Sequence, residues 1–304
     1  MSIEIIPAEA ESLLDWRELT DALLAGHRMP RAELGDTFLY REPDTLWSRS
    51  AWIDGMGMAV KTATVFPDNR ADNLPMVNGA VNHYSDDHGV FEAIVDFHLV
   101  TKWKTAADSL LAARLLAPEK ADCILIIGAG EVAKSLREAY GALFPKARFM
   151  VWNRSSAGAE AMAANYPNTV VATDLESGVM ASDIVTSATM ARAPLIMGEW
   201  LQPGQHIDLI GAYRPDMREA DDVALTRARV FVDSRETVLN HIGELKIPLE
   251  AGVISRDHVA GDFYDIESGA FTREAEDITL FKNGGGAHLD LITSRYILDK
   301  WRNR

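Results

Sequence analysis

CILIIGAGEVAKSL, residues Cys123 to Leu136, reads as a buried strand, a tight glycine turn and the start of a helix. Five apolar residues precede Gly128, Gly130 and Ala133, which form a G-x-G-x-x-A pattern. The first glycine permits the tight turn. The second has no side chain, so backbone can approach a pyrophosphate, and the small Ala133 lets helix and strand pack closely. The first helical amides then point at the phosphates, where the helix dipole favours negative charge. The expected cofactor-binding residues at this turn are Gly128, Ala129, Gly130, Glu131 and Val132.

The next strand, ARFMVWNRSS from Ala147 to Ser156, ends on Asn153 and Arg154. An acidic residue at this strand end would accept from a ribose 2′-hydroxyl and repel a 2′-phosphate. Asn153 is neutral, Arg154 is a bidentate cationic fork and Ser155 adds a hydroxyl, so NADP(H) is favoured over NAD(H). Thr186 and Ser187, in the small polar run TSATMARAP, are expected to line the diphosphate and ribose.

Outward from the turn, residues 119–285 alternate strands and helices. Strands are expected at 123–127, 148–152, 169–172, 184–187, 206–210 and 230–232. The alternation implies a parallel, doubly wound sheet. Residues 1–118 read differently. A helical pattern at 11–26 is followed by strand-like stretches at 36–42 and 57–67. Two strands within 76–96 are joined by the polar SDDHG turn, and an Ala/Leu-rich helix covers 105–117. This is an α+β pattern, and the helix of AHLDLITSRYILDKW at the end of the chain is expected to complete it. The fold class is therefore α/β: a doubly wound dinucleotide-binding domain at 119–285, and an α+β domain at 1–118 closed by 286–304.

Whole-chain properties narrow the function. The net charge of −15 opposes nucleic-acid binding, which needs clustered Lys and Arg. No apolar run is long enough to span a bilayer, and the acidic start MSIEIIPAEAESLLDW lacks an export pattern. The single cysteine, Cys123, lies in an apolar strand and reads as a core residue. No ligand-spaced His/Cys cluster suggests a metal. A cytoplasmic protein is expected.

Several separated stretches agree with one family. They are VKTATVFPDN (60–69), VTKWKTAADS (100–109), IGAGEVA, VWNRS, TSAT, IGAYRPDMREAD (210–221), VFVDSRE (230–236) and TLFKNGGGAHLD (279–290). In this order the chain resembles the ornithine cyclodeaminase/μ-crystallin family over nearly its whole length. The resemblance implies a Rossmann domain plus a dimerisation domain that holds substrate, and NAD(P)-dependent chemistry on amino or cyclic imino acids. It implies that Lys61 contacts a substrate carboxylate and acts in catalysis. Lys104 stands where the family usually has Arg, keeping the charge but losing bidentate geometry. Arg49 is the candidate for a third carboxylate-binding cation. Tyr213 replaces the Asp that handles a distal amine in ornithine cyclodeaminases, and Met217 replaces a family lysine, so the chain is similar to the reductase branch.

The expected function is therefore NAD(P)H-dependent reduction of a small carboxylate-bearing imine by a homodimer. An ammonia-releasing cyclodeaminase and a non-catalytic cofactor-binding protein are the alternatives. His98, His288, Lys61 or a water are candidate proton donors. Asp290 is expected to cap the last helix, and Arg214, Arg218 and Glu219 to brace their turn.

Overall fold

The computed structural model describes residues 3–304. In chain order the first part contains β1 (Glu4–Ile6), α1 (Trp16–His27), β2 (Glu33–Arg41), β3 (Asp44–Ile53), β4 (Gly57–Val65), β5 (Val77–Tyr84), β6 (Phe91–Asp96) and α2 (Phe97–Leu116). The second part runs β7 (Cys123–Ile127), α3 (Glu131–Leu143), β8 (Arg148–Trp152), α4 (Ser156–Asn165), β9 (Thr169–Val171), α5 (Leu175–Met180) and β10 (Ile184–Ser187). It continues with β11 (His206–Leu209), α6 (Asp222–Arg227), β12 (Arg229–Val232), α7 (Arg235–Val238), α8 (Gly243–Glu250), β13 (Val259–Asp262) and β14 (Thr279–Lys282). The chain closes on α9 (Ala287–Arg302). Two compact units emerge, Met1–Lys104 with Gly286–Arg304, and Thr105–Gly285.

The first unit is built on a six-stranded sheet in the order β1-β6-β5-β4-β3-β2, antiparallel except for the β1/β6 pair. Strand β4 alternates strictly. Gly57, Ala59, Lys61 and Ala63 are buried, while Met58, Val60, Thr62 and Thr64 are only partly covered. The small residues on the buried face make room for α9, which packs on β3, β4 and β5. A cation in that row is the exception, and register places Arg49 of β3 directly opposite it. Asp15 caps α1 by accepting from Arg17 N and Glu18 N, so this helix begins five residues later than its apolar spacing suggested.

The second unit carries an all-parallel eight-stranded sheet, β13-β12-β14-β11-β10-β7-β8-β9. Strand order reverses at the β7/β10 neighbours, the topological switch point where such sheets bind ligands at the carboxyl ends. All five residues of β7 are buried, Cys123 included, as a strand covered on both faces requires. Packed beneath are Leu125, Val185, Ile207, Leu280 and Val230, one from each successive strand. The α/β class and the doubly wound sheet hold.

Sequence reading missed four strands. β3 was lost because its polar residues Thr45, Ser48, Arg49 and Ser50 hide the alternation. β1 is three residues long. β13 (VAGD) and β14 (TLFK) are short and flanked by irregular segments. Helix α2 begins at Phe97, eight residues before the expected start, through the lysine motif itself.

Candidate active site

Lys61 is the centre of a cluster in the first unit. Its side chain is 4% exposed, and its Nζ lies 2.8 Å from Asp290 Oδ1, on a carboxylate 3% exposed. Nζ also sits 4.7 Å from the Phe97 ring centroid. The expectation that Asp290 caps α9 is corrected. The N-cap is Gly286, and Asp290, four residues further on, turns into the sheet because a buried ammonium is there to meet it. One helical turn later Ser294 meets His83 of β5 at 2.9 Å, so these two buried polar contacts of α9 follow the helix repeat.

Lys104 is buried near the division in α2, and Arg49 is partly covered. Arg49 reaches Asp36 on β2 at 3.1–3.3 Å and lies 5.9 Å from the Trp47 ring. Burial drives the Lys61 pKa down to about 8, Asp290 pulls it back up, and repulsion from Lys104 and then Arg49 lowers it further. For Asp290, burial raises its pKa but the Lys61 and Lys104 charges win, leaving it below the usual carboxylate range. Of the two histidines considered as proton donors, His98 is exposed on α2. His288 is fully buried edge-on to His27 at 5.2 Å, and burial holds its pKa far below normal.

In the second unit the glycine turn fits a dinucleotide. Gly128 has φ +110°, and a Cβ there would stand 2.7 Å from Ala188 O, at the carboxyl ends of the two switch-point strands. Gly130 is the N-cap of α3, no side chain caps the first turn, and a Cβ at Gly130 would meet only open space. Exposed amide donors with room before them suit a phosphate. Ala129 is partly covered, Glu131 and Val132 are exposed, and Ala133 is buried between helix and strand. At the end of β8, Arg154 and Ser155 are exposed and Asn153 Nδ2 donates to Ser155 O at 2.9 Å. Gly158 adds a contact that the sequence reading overlooked: a Cβ would press Asn153 Nδ2 at 2.9 Å and Ala129 Cβ at 3.4 Å.

Thr186 and Ser187 are corrected. Both side chains are fully buried, Thr186 Oγ1 donating to Asp208 at 2.6 Å and Ser187 Oγ to Glu219 at 2.6 Å. Buried carboxylates need these donors, so the hydroxyls turn inward and do not line a cofactor surface. Glu219 braces its turn as expected, and more firmly. Oε1 accepts from Ser187 Oγ, Thr189 N and Thr189 Oγ1, while Oε2 accepts from Gly211 N and Ala212 N. The loops after β10 and β11 are thereby tied to one carboxylate. Met217 is buried in the sheet's core cluster, and Tyr213 is 61% exposed.

The doubly wound fold and the glycine turn are those of a dinucleotide-binding class of protein. Residues 52–304 match the model of the ornithine cyclodeaminase/mu-crystallin family, and the chain belongs to that family. It is 50% identical over 296 residues to a Delta(1)-pyrroline-2-carboxylate reductase of Paracoccus denitrificans, covering 95% of this chain and 94% of that one. It is 31% identical over 245 residues to the ketimine reductase mu-crystallin of Mus musculus, covering 80% and 76%. Among solved structures it superposes with a TM-score of 0.90 on Thermococcus litoralis Delta(1)-pyrroline-2-carboxylate reductase in complex with NADH and L-proline, at 25% identity and 99% and 98% coverage.

Proposed function

We propose that this chain is a nicotinamide-dependent reductase of a small cyclic imino acid, of the pyrroline-2-carboxylate or ketimine type. The carrying observation is the gathering of Arg49 and Lys104 around a buried Lys61 in a protein of net charge −15. Positive charge concentrated at a partly buried site in an acidic protein favours an arriving anion. A substrate carboxylate is that anion in this reading, gripped by Lys61 with Lys104 and Arg49 in support. The half-identical relative and the NADH- and proline-bound structure agree with this class of substrate.

The reduced nicotinamide, when bound, supplies a hydride to the carbon of a protonated C=N bond. The π pair then becomes the nitrogen lone pair and the product is an amine. The chain's own work is to hold the acid in one orientation, which removes much of the entropic barrier. Gly128 and Gly130 leave space for the diphosphate, and the first-turn amides of α3 (Glu131, Val132) face it. Arg154, with Asn153 and Ser155, favours a 2′-phosphate and hence NADP(H). Tyr213 offers no carboxylate for a distal ammonium, which separates this reading from ornithine cyclodeamination. A homodimer is part of the reading. Phe38, Leu39, Tyr40 and Leu46 expose large apolar area on β2 and β3, which suits a second copy of the chain.

The test is cofactor oxidation by the purified protein with pyrroline-2-carboxylate, its six-membered homologue and iminopropionate, using NADPH and NADH in parallel. Reduction of a cyclic imino acid is expected, faster with NADPH at limiting cofactor. Ammonia release from ornithine with no net cofactor loss, or cofactor binding with no turnover of any imine, would replace it.

A further inference from the structure

We propose that Asp290 is a positioning residue for the reductase reading above: its carboxylate aims the Lys61 side chain and keeps it as an ammonium for the substrate carboxylate. The two groups come from β4 and α9, 229 residues apart, and meet at 2.8 Å with both side chains almost wholly out of water. Fold stability does not explain the pair. Desolvating two charges costs about as much as their attraction returns, and an apolar pair of similar volume serves a core as well or better. Asp290 Oδ2 moreover makes no hydrogen bond, although it is buried. An acceptor left bare in a dry interior is costly, so this carboxylate is retained for its charge.

The surroundings show what the charge is for. Arg49 faces Lys61 from β3, itself held by Asp36 of β2. From α2 come Lys104 and the Phe97 ring. β5 places the apolar Val81 opposite Lys61. From α9 come Asp290 and the neutral, buried His288, which in turn feels His27 at the end of α1 and Arg31 just beyond it. The balance at Lys61 thus sets burial and two cations against one carboxylate. Removing that carboxylate leaves every remaining influence favouring the neutral amine, which neither attracts an anion nor keeps its direction.

Asp290→Asn keeps size and removes charge. In that variant the alkaline limb of kcat/KM for the imino acid should move down by at least about one pH unit. At pH 8 KM should rise about fivefold or more, with kcat changed less and NADPH dissociation constant unchanged. Asp290→Glu should restore part of the profile. Binding of pyrrole-2-carboxylate, a planar carboxylate that needs no turnover, followed by calorimetry against pH, should show the same downward shift. A pH profile and a binding curve that overlay those of the parent protein would overturn the proposal. Equal loss of binding at every pH, with a lowered melting temperature, would assign Asp290 a structural role and overturn it as well. Failure of the reductase reading itself is visible separately, as a parent protein that binds pyrrole-2-carboxylate but reduces no imine.

Discussion

At the scale of single residues, the site is a contest between burial and charge. Lys61 sits on the covered face of β4, where alternation calls for an apolar side chain and Ala59 and Ala63 comply. Its pKa near 8 keeps most of it charged at neutrality and lets it discharge just above. Lys61→Ala should therefore lower imino-acid turnover by about a thousandfold or more, the scale of losing a positioning and electrostatic group together. It should leave NADPH affinity within about twofold, since the glycine turn belongs to another part of the chain. Steady-state rates and fluorescence titration of the cofactor check both halves, and retained turnover would remove Lys61 from the site. Arg154 answers to a different test. It is exposed at the end of β8, so exchanging it costs the fold little. Arg154→Asp should weaken NADPH binding by at least about tenfold while leaving NADH nearly unchanged. Equal effects on both cofactors would free Arg154 from any 2′-phosphate. Lys61 and Lys104 were singled out in the sequence because motifs carry them, and Arg49 as a candidate upstream cation. Asp290 was legible as a residue but not as a partner, for nothing local tells that α9 lays its fourth residue against β4.

At the scale of elements, legibility followed the strength of the local pattern. The strands β7, β8, β10 and β11 were read nearly to the residue because β7 is a continuous apolar run and the others fall in step with the alternation of strands and helices. The two parallel strands that close the other flank, β12 apart, were missed, since VAGD and TLFK are too short for periodicity and take their order from neighbours alone. Thr186 and Ser187 show the same limit from the other side. Small polar residues at a strand end look like a ligand surface, yet Asp208 and Glu219, more than twenty residues away in sequence, claim their hydroxyls. The glycine turn separates two roles that its motif merges. Gly128→Ala forces a Cβ into Ala188 O at φ +110°, and should destabilise the second unit by about 1–3 kcal/mol as well as weaken cofactor binding. Gly130→Ala meets open space at an ordinary φ of −83°, so stability should fall by about 1 kcal/mol or less. Its cofactor affinity should nonetheless drop at least about tenfold, because the added methyl occupies the space of the diphosphate. Thermal melts with and without NADPH distinguish the two, and a Gly130→Ala protein that binds NADPH normally would place the diphosphate elsewhere.

At the scale of the whole molecule, what stands out is how many ionisable groups were taken out of water. Composition gives the counts, eight histidines among 304 residues, but not which ones the fold buries. Burial lowers His27 to about 4, His83 and His206 to about 3, and His288 well below the usual value, so all four are neutral in the fold. Burial acts oppositely on two carboxyls, raising Asp208 to about 6 and Glu244 to about 7, the latter helped by the Glu219 charge. A group whose folded pKa is depressed binds more protons unfolded, so each histidine withdraws stability as pH falls through 6.5. A group whose folded pKa is raised binds more protons folded, so Asp208 and Glu244 contribute stability at low pH that is lost as pH rises to about 6 and about 7. Between pH 6.5 and 5 the two classes compete, four protons taken up on unfolding against two released. The histidines prevail by about two protons near pH 5.5, a slope of roughly 2–3 kcal/mol per pH unit. Urea unfolding should therefore show a midpoint clearly lower at pH 5.5 than at pH 7.5, with the m-value unchanged. His83→Asn, which keeps a polar partner for Ser294, should flatten that dependence by about one proton. An equal or higher midpoint at pH 5.5 would mean that the buried histidines carry protons within the fold, and the electrostatic account of the Lys61 pocket, which treats His288 as neutral, would fall with them.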